Sequence, residues 1–197
     1  NKSYNKTCYH NFLYMIDLQK IDKSWTLFLD RDGVINHETV GSYITRWEDF
    51  RFYDGVLEAL SVFAGRFGRI IIVTNQRGVS KRLMTEQDLK DIHLNMLGMI
   101  EANGGRIDKI YYCIDMESES PNRKPNVGMG LQAKIDFTAI EFNRSLMIGN
   151  TMSDMIFGKK LGMYTFFISS NRPAPILPSA TTDAVFSSLK DVSELMI

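Results

Sequence analysis

Cysteine is nearly absent: the 197 residues include only Cys8 and Cys113, which cannot build the disulfide framework of a small secreted domain. No apolar run approaches the ~18 residues that a membrane-crossing helix needs. The opening residues, Asn1 to Tyr9, lack the apolar core and small-residue cleavage site of a secretory signal. Surplus charge is missing too. Lysine plus arginine and aspartate plus glutamate number 23 each, whereas a nucleic-acid binder shows a basic excess or stripe. Internal repeats and low-complexity tracts are also lacking. These absences lead to the expectation of a cytoplasmic protein with no membrane or nucleic-acid partner. The length fits one domain with a sizeable core. Nothing in the sequence speaks to oligomeric state.

What is present begins with a short apolar, aromatic-rich run, Trp25 to Leu29, of the kind that forms a strand buried on both faces of a parallel sheet. It stops at Asp30-Arg31-Asp32-Gly33. In open parallel sheets ligands bind outside the carboxyl ends of the strands, so both acids stand where chemistry takes place. Two carboxylates so spaced hold a hard cation such as magnesium, or the first attacks phosphorus while the second moves a proton. A plain strand running into an Asp-Gly turn is the third reading. The segment alone leaves all three open.

Residues 1–22 are polar and aromatic without periodicity and are expected to be an extension ahead of a domain spanning 23–197. Met15 is either the natural start of that domain or an internal residue. The long connection from His37 to Tyr53 carries Tyr43, Trp47, Phe50, Phe52 and Tyr53, which either flap over the acidic strand end or pack beneath it. Asp54-Gly55 opens a helix with Val56, Leu57, Leu60 and Phe63 on one side, expected to close at Gly65.

Arg69 to Thr74 reads as a second buried strand, ending in Thr74-Asn75-Gln76, where a hydroxyl followed by backbone amides suits a phosphate oxygen. Thr85 caps a helix with Leu89, Ile92, Met96 and Ile100 at helical spacing, and His93 near that face is expected to be a packed core histidine. Ile107 to Ile114 forms a third strand, followed by a polar loop containing Arg123-Lys124-Pro125. A helix over Gly130 to Phe137 leads to a fourth strand, Ser145 to Ile148, which ends in Gly149-Asn150-Thr151-Met152-Ser153-Asp154 and a helix running to Leu161. A fifth strand over Tyr164 to Ile168, a proline-marked irregular segment (Pro173, Pro175, Pro178), a short strand over Ala184 to Phe186 and a closing helix complete the chain.

Strands alternating with helices, with polar clusters at successive strand ends, predict an α/β fold with a doubly wound, Rossmann-like parallel sheet. The order of the clusters resembles the four motifs of the haloacid dehalogenase (HAD) superfamily of phosphohydrolases. Phe28-Leu29-Asp30-Arg31-Asp32-Gly33, Val73-Thr74-Asn75-Gln76 and Arg123-Lys124-Pro125 are similar in particular to its subfamily IIIA branch, which contains histidinol-phosphate phosphatase and heptose-1,7-bisphosphate phosphatase. The similarity runs from Trp25 to Ser169 and implies a minimal cap or none. By that resemblance Asp30 is the nucleophile and Asp32 the general acid/base. Thr74, Asn75 and Lys124 hold the phosphoryl group, Arg123 faces the substrate, and magnesium sits on Asp30, on the backbone carbonyl of Asp32 and on the acid of the fourth motif.

Two departures stand out. The fourth motif of the family reads Gly-Asp, whereas this chain has Gly149-Asn150. The expected metal residues are therefore Asp30, Asp32, Asn150 and Asp154, the last directly or through water. The branch's zinc loop, Cys-x-His with Cys-x-Cys, is reduced to Cys113 and Asp115, so no zinc is expected. The resemblance implies a magnesium-dependent phosphomonoesterase, a hydrolase of carbohydrate metabolism, acting through an aspartyl-phosphate on a small phosphorylated metabolite such as a sugar phosphate, a bisphosphate or histidinol phosphate. The alternatives are a catalytically weak fold-mate that binds a phosphorylated ligand or partner, which Asn150 favours, and a polynucleotide 3′-phosphatase, which the neutral charge disfavours.

Overall fold

Among the described residues, six parallel strands make one sheet. They are β1 (Thr26–Leu29), β2 (Arg69–Asn75), β3 (Lys109–Cys113), β4 (Ser145–Gly149), β5 (Tyr164–Ile168) and β6 (Ala184–Phe186), in the order β3-β2-β1-β4-β5-β6. The computed structural model describes residues 16–38 and 41–197. Five helices connect the strands or follow them: α1 (Val56–Arg66), α2 (Glu86–Ala102), α3 (Gly128–Asp136), α4 (Met152–Lys160) and α5 (Leu189–Glu194).

Successive side chains of a strand point to opposite faces, and the two cores follow from that alternation. Leu27 and Leu29 of β1, with Ile70 and Ile72 of β2, join Leu60 and Phe63 of α1, Leu89, Ile92 and Met96 of α2, and Val192 of α5 in one cluster. Phe28, Ile71, Val73 and Met147 point the other way, onto Met129 and Ala133 of α3 and Phe157 of α4. Helices thus cover both faces, as the continuous apolar strands require. The chain leaves β1 toward β2 and β3, then returns to place β4 on the other side of β1. This reversal of strand order opens a crevice at the carboxyl ends of β1 and β4, where the Asp30 and Asn150 motifs emerge.

Several boundaries differ from expectation, among them the third strand, expected over 107–114 and observed over Lys109–Cys113. Helix α1 passes through Gly65 to Arg66 and is capped at Phe67, whose N–H bonds Phe63 O. That residue keeps the helical ladder while burying its ring in the core. Helix α3 starts at Gly128 rather than Gly130. Residues 16–22, expected to belong to an extension, place Ile16, Leu18 and Ile21 in the first core cluster. The rest of that extension, with Cys8 and Met15, lies outside the described residues.

The aromatic connection divides between its two readings. Phe50 is buried with Trp47 stacked against it at 5.1 Å, while Tyr43 and Ile44 line the cavity above the strand ends. Among the described residues this connection carries one 3-10 turn, Trp47–Asp49, and no inserted cap domain. No helix among them is long and apolar enough to cross a membrane.

Candidate active site

The N–H of Asp30 still bonds Ile148 O of β4 at 2.9 Å, so the first acid extends the sheet and its carboxylate is fixed at the strand end. The chain then turns. Ile35 N bonds Arg31 O at 2.8 Å and Gly33 N bonds Asn36 O at 2.8 Å, with Gly33 at φ +81°, a conformation that favours glycine.

Arg31 is completely buried. Its guanidinium donates to both oxygens of Asp32, at 2.8 and 3.0 Å, to Gln76 Oε1 at 3.3 Å and to His93 Nε2 at 3.0 Å. Asp32 also accepts from Asn36 Nδ2 at 2.9 Å and from Gln76 Nε2 at 2.7 Å. Gln76 Nε2 reaches Thr74 Oγ1 as well, at 2.9 Å, which ties the first two motifs together.

Lys124 stands between two acids. Its ammonium lies 2.9 Å from Asp30 Oδ1 and 2.5 Å from Asp154 Oδ1, and it donates to Val73 O at 2.7 Å. The backbone that carries it is clamped by Asn75, whose side chain bonds Lys124 O at 3.1 Å and Lys124 N at 3.0 Å. Asn75, expected to contact phosphate, therefore uses its amide to place the lysine.

The second oxygen of Asp154 caps α4 through Thr151 N at 3.0 Å and Thr151 Oγ1 at 2.7 Å. Gly149 permits this approach, since a Cβ there would fall 2.3 Å from Asp154 Cβ. Asn150 is fully buried, and its Nδ2 donates to Glu38 Oε1 at 2.9 Å and to Asn171 Oδ1 at 3.2 Å. Its Oδ1 has no hydrogen-bond partner.

The charges follow from this geometry. Burial, reinforced by Asp154, raises the Asp30 carboxyl to about 7 despite Lys124. Burial also opposes ionisation of Asp32, but Arg31 and the hydrogen bonds from Asn36 and Gln76 outweigh it and hold that carboxyl below its ordinary range. For Lys124 burial disfavours the ammonium, and the two acids more than compensate, so its pKa is raised. Arg31 thus holds Asp32 ionised, while Asp30, with Asp154 nearby, is short of positive charge beside the fixed ammonium of Lys124.

All eight expected residues, Asp30, Asp32, Thr74, Asn75, Arg123, Lys124, Asn150 and Asp154, line one cavity of about 490 Å³. Glu38, Tyr43, Gln76, Arg77 and Arg172 also line it. A buried amide oxygen without a donor, in a cavity also lined by a carboxylate short of positive charge, suits a hard cation; Asp30 and Asn150 have the required chemistry, whereas both Asp154 oxygens are already engaged. Among the described residues no three His, Cys, Asp or Glu side chains gather into a metal site, so the candidate ligands are of mixed type. Cys113 lies 3.6 Å from Asp115 Oδ2 and 3.9 Å from Ser120 Oγ.

Sequence reasoning missed Arg31, Asn36, Glu38, Asn171 and Arg172. Arg31 carried a signal, as a lone cation inside an acidic motif. Glu38 and Arg172 carried none, since 134 residues separate them.

The family model described as polynucleotide kinase 3 phosphatase matches residues 26–172. A D-glycero-alpha-D-manno-heptose-1,7-bisphosphate 7-phosphatase from Campylobacter jejuni is 37% identical over 146 residues, covering 74% of this chain and 83% of that protein. Its counterpart from Burkholderia mallei is 35% identical over 179 residues, covering 86% and 92%. Among solved structures, the D,D-heptose 1,7-bisphosphate phosphatase of B. bronchiseptica, complexed with magnesium and phosphate, superposes with a TM-score of 0.75 at 21% identity, covering 86% of this chain and 96% of that one. The acidic strand-end motif, clamped lysine, sheet order and these matches converge: the chain belongs to the polynucleotide kinase 3 phosphatase family, within the haloacid dehalogenase superfamily, and is a phosphatase.

Proposed function

We propose that this phosphatase hydrolyses a phosphomonoester on a small sugar phosphate or bisphosphate, with magnesium, through an aspartyl-phosphate at Asp30. The observation that carries this reading is the Lys124 ammonium held between Asp30 and Asp154 at the mouth of the β1 crevice. A phosphate dianion approaches a carboxylate only where cationic charge offsets the repulsion. Lys124 is one such charge. Asp30, the Asp32 carbonyl and Asn150, with Asp154 behind Lys124, would hold a magnesium ion, which would supply the rest by neutralising phosphoryl oxygens.

An Asp30 oxygen attacks phosphorus and the bond to the leaving oxygen breaks. Asp32 gives that oxygen a proton. Asp32 is ionised at rest; the incoming phosphate's negative charge raises its proton affinity, so it takes a proton from solvent for this step and returns one to solvent when the phosphate has left. Once the alcohol has left, Asp32 takes a proton from water, the hydroxide attacks phosphorus, and the Asp30 carboxylate is released with inorganic phosphate. Thr74 and Lys124 hold the phosphoryl oxygens. Arg77 and Arg123, which also line the cavity, suit an anionic group elsewhere on the substrate. The curated relatives act on heptose bisphosphates, which fits that charge.

The test is a panel of sugar phosphates, sugar bisphosphates, histidinol phosphate and an oligonucleotide 3′-phosphate, each with magnesium, with Asp30→Asn as the blank. The reading expects turnover on sugar phosphates that the blank lacks. Preference for the oligonucleotide would assign the activity in the family's description instead.

A further inference from the structure

Asn150 poses a question of orientation. An amide offers an oxygen on one side and a nitrogen on the other, and only the oxygen ligates a cation. The surroundings decide between them. Nδ2 faces Glu38 Oε1 at 2.9 Å and Asn171 Oδ1 at 3.2 Å, two acceptors. Turning the amide over would set its oxygen against both and put an N–H at the buried position where Oδ1 now has no partner.

Glu38 is itself held firmly. Its Oε1 accepts from Arg172 Nη2 at 2.9 Å, Arg172 Nε at 3.2 Å and Asn171 Nδ2 at 3.1 Å. Gly33 makes the arrangement possible. A Cβ at that position would lie 1.9 Å from Asn150 Nδ2 and 3.0 Å from Glu38 Oε1, while Ser170 Oγ secures Gly33 O at 2.6 Å.

From these contacts we infer that Glu38 is a positioning residue: it locks the Asn150 amide so that Oδ1 faces the cation, and the Glu38–Asn150 pair does the work of the single acid found in the family's fourth motif. An aspartate at 150 would put a carboxylate oxygen against Glu38, so the two positions suit each other only as an acid and an amide. The inference rests on the proposed magnesium site. Groups that orient a metal ligand from behind typically contribute ~10–100-fold to metal affinity, and a ligand that presents either of two atoms depends most on such a group.

The experiment is a calorimetric Mg²⁺ titration of four proteins: the parent, Glu38→Leu, Asn150→Asp and the double variant. Glutamine would not serve, because Arg172 and Asn171 would hold its oxygen where Glu38 Oε1 stands; leucine offers Asn150 no acceptor and so removes the lock. A carboxylate at 150 has two equivalent oxygens and needs no lock. Glu38→Leu is therefore expected to weaken Mg²⁺ about tenfold or more when Asn150 is present, and by clearly less when position 150 is aspartate. An equal loss in both backgrounds would mean that Glu38 contributes only its charge, and would overturn the inference while leaving the magnesium site intact. No binding by the parent would overturn both.

A second readout needs neither metal nor variant folding. In the parent, NMR of the Asn150 side-chain amide is expected to show slowly exchanging, hydrogen-bonded protons, and fast exchange there would contradict the lock.

Discussion

The Arg31 guanidinium donates to Nε2 of His93 at 3.0 Å inside the core, so the imidazole must be neutral and carry its proton on the other nitrogen. Burial and the neighbouring Arg31 push its pKa down to about 3. The cation that holds Asp32 is thus itself held by a histidine of α2.

Replacing His93 with leucine leaves a buried guanidinium N–H unpaired. The expected loss of stability is about 2–3 kcal/mol, measured by denaturant unfolding at neutral pH, and no loss would contradict the contact. A pH signature accompanies it. The unfolded histidine takes up a proton near 6.5 while the folded one resists until about 3, so its contribution to stability is present above 6.5 and lost as pH falls toward 3. His93→Leu should remove that slope.

Asp30 acts in the opposite sense. Its folded pKa is raised from 3.8 to about 7, so in the metal-free protein its contribution is fully present below 3.8 and lost as pH rises through about 7. Asp30→Asn should abolish turnover, because an amide is no nucleophile, while making the metal-free protein less sensitive to that rise. An unfolding midpoint with the same pH dependence in both proteins would contradict the assigned charge. Magnesium should reduce the parent's sensitivity by keeping the carboxylate ionised.

Lys124→Met would leave two buried carboxylates facing each other without their cation. Removing one partner of a buried ion pair typically costs about 3–5 kcal/mol, and the ammonium also donates to Val73 O at 2.7 Å. Urea unfolding above pH 7 is expected to show a loss of that size, and a change within 1 kcal/mol, roughly the worth of an exposed pair, would contradict the buried arrangement.

The sheet and the order of the motifs were legible because the buried strands are short apolar runs that end abruptly in polar residues. Asp30, Thr74 and Asn150 sit at or just beyond such ends, Lys124 follows in the loop after β3, and folding brings them together. What escaped reading was long-range polar pairing. The partner of Asn75 is the backbone of Lys124, 49 residues away, and no periodicity records it. Ile16, Leu18 and Ile21 were hidden for a related reason: a 3-10 turn over Leu18–Lys20 packs three apolar side chains without a helical or strand repeat.

Asp32→Asn should keep the fold and lose ~10²–10⁴-fold in turnover, the usual contribution of a general acid/base. The loss should shrink on substrates whose leaving group needs no proton, such as an activated aryl phosphate. Equal losses on activated and sugar substrates would remove Asp32 from the proton-transfer role.

If the phosphoryl group passes to Asp30, borohydride added during steady-state turnover will trap it there. Reduction of an aspartyl-phosphate converts that side chain to the alcohol of homoserine, which peptide mass spectrometry locates. The modification is expected at position 30, dependent on substrate and magnesium and absent from Asp30→Asn. Turnover at full rate with no modification, or with the modification at Asp32, would contradict transfer to Asp30.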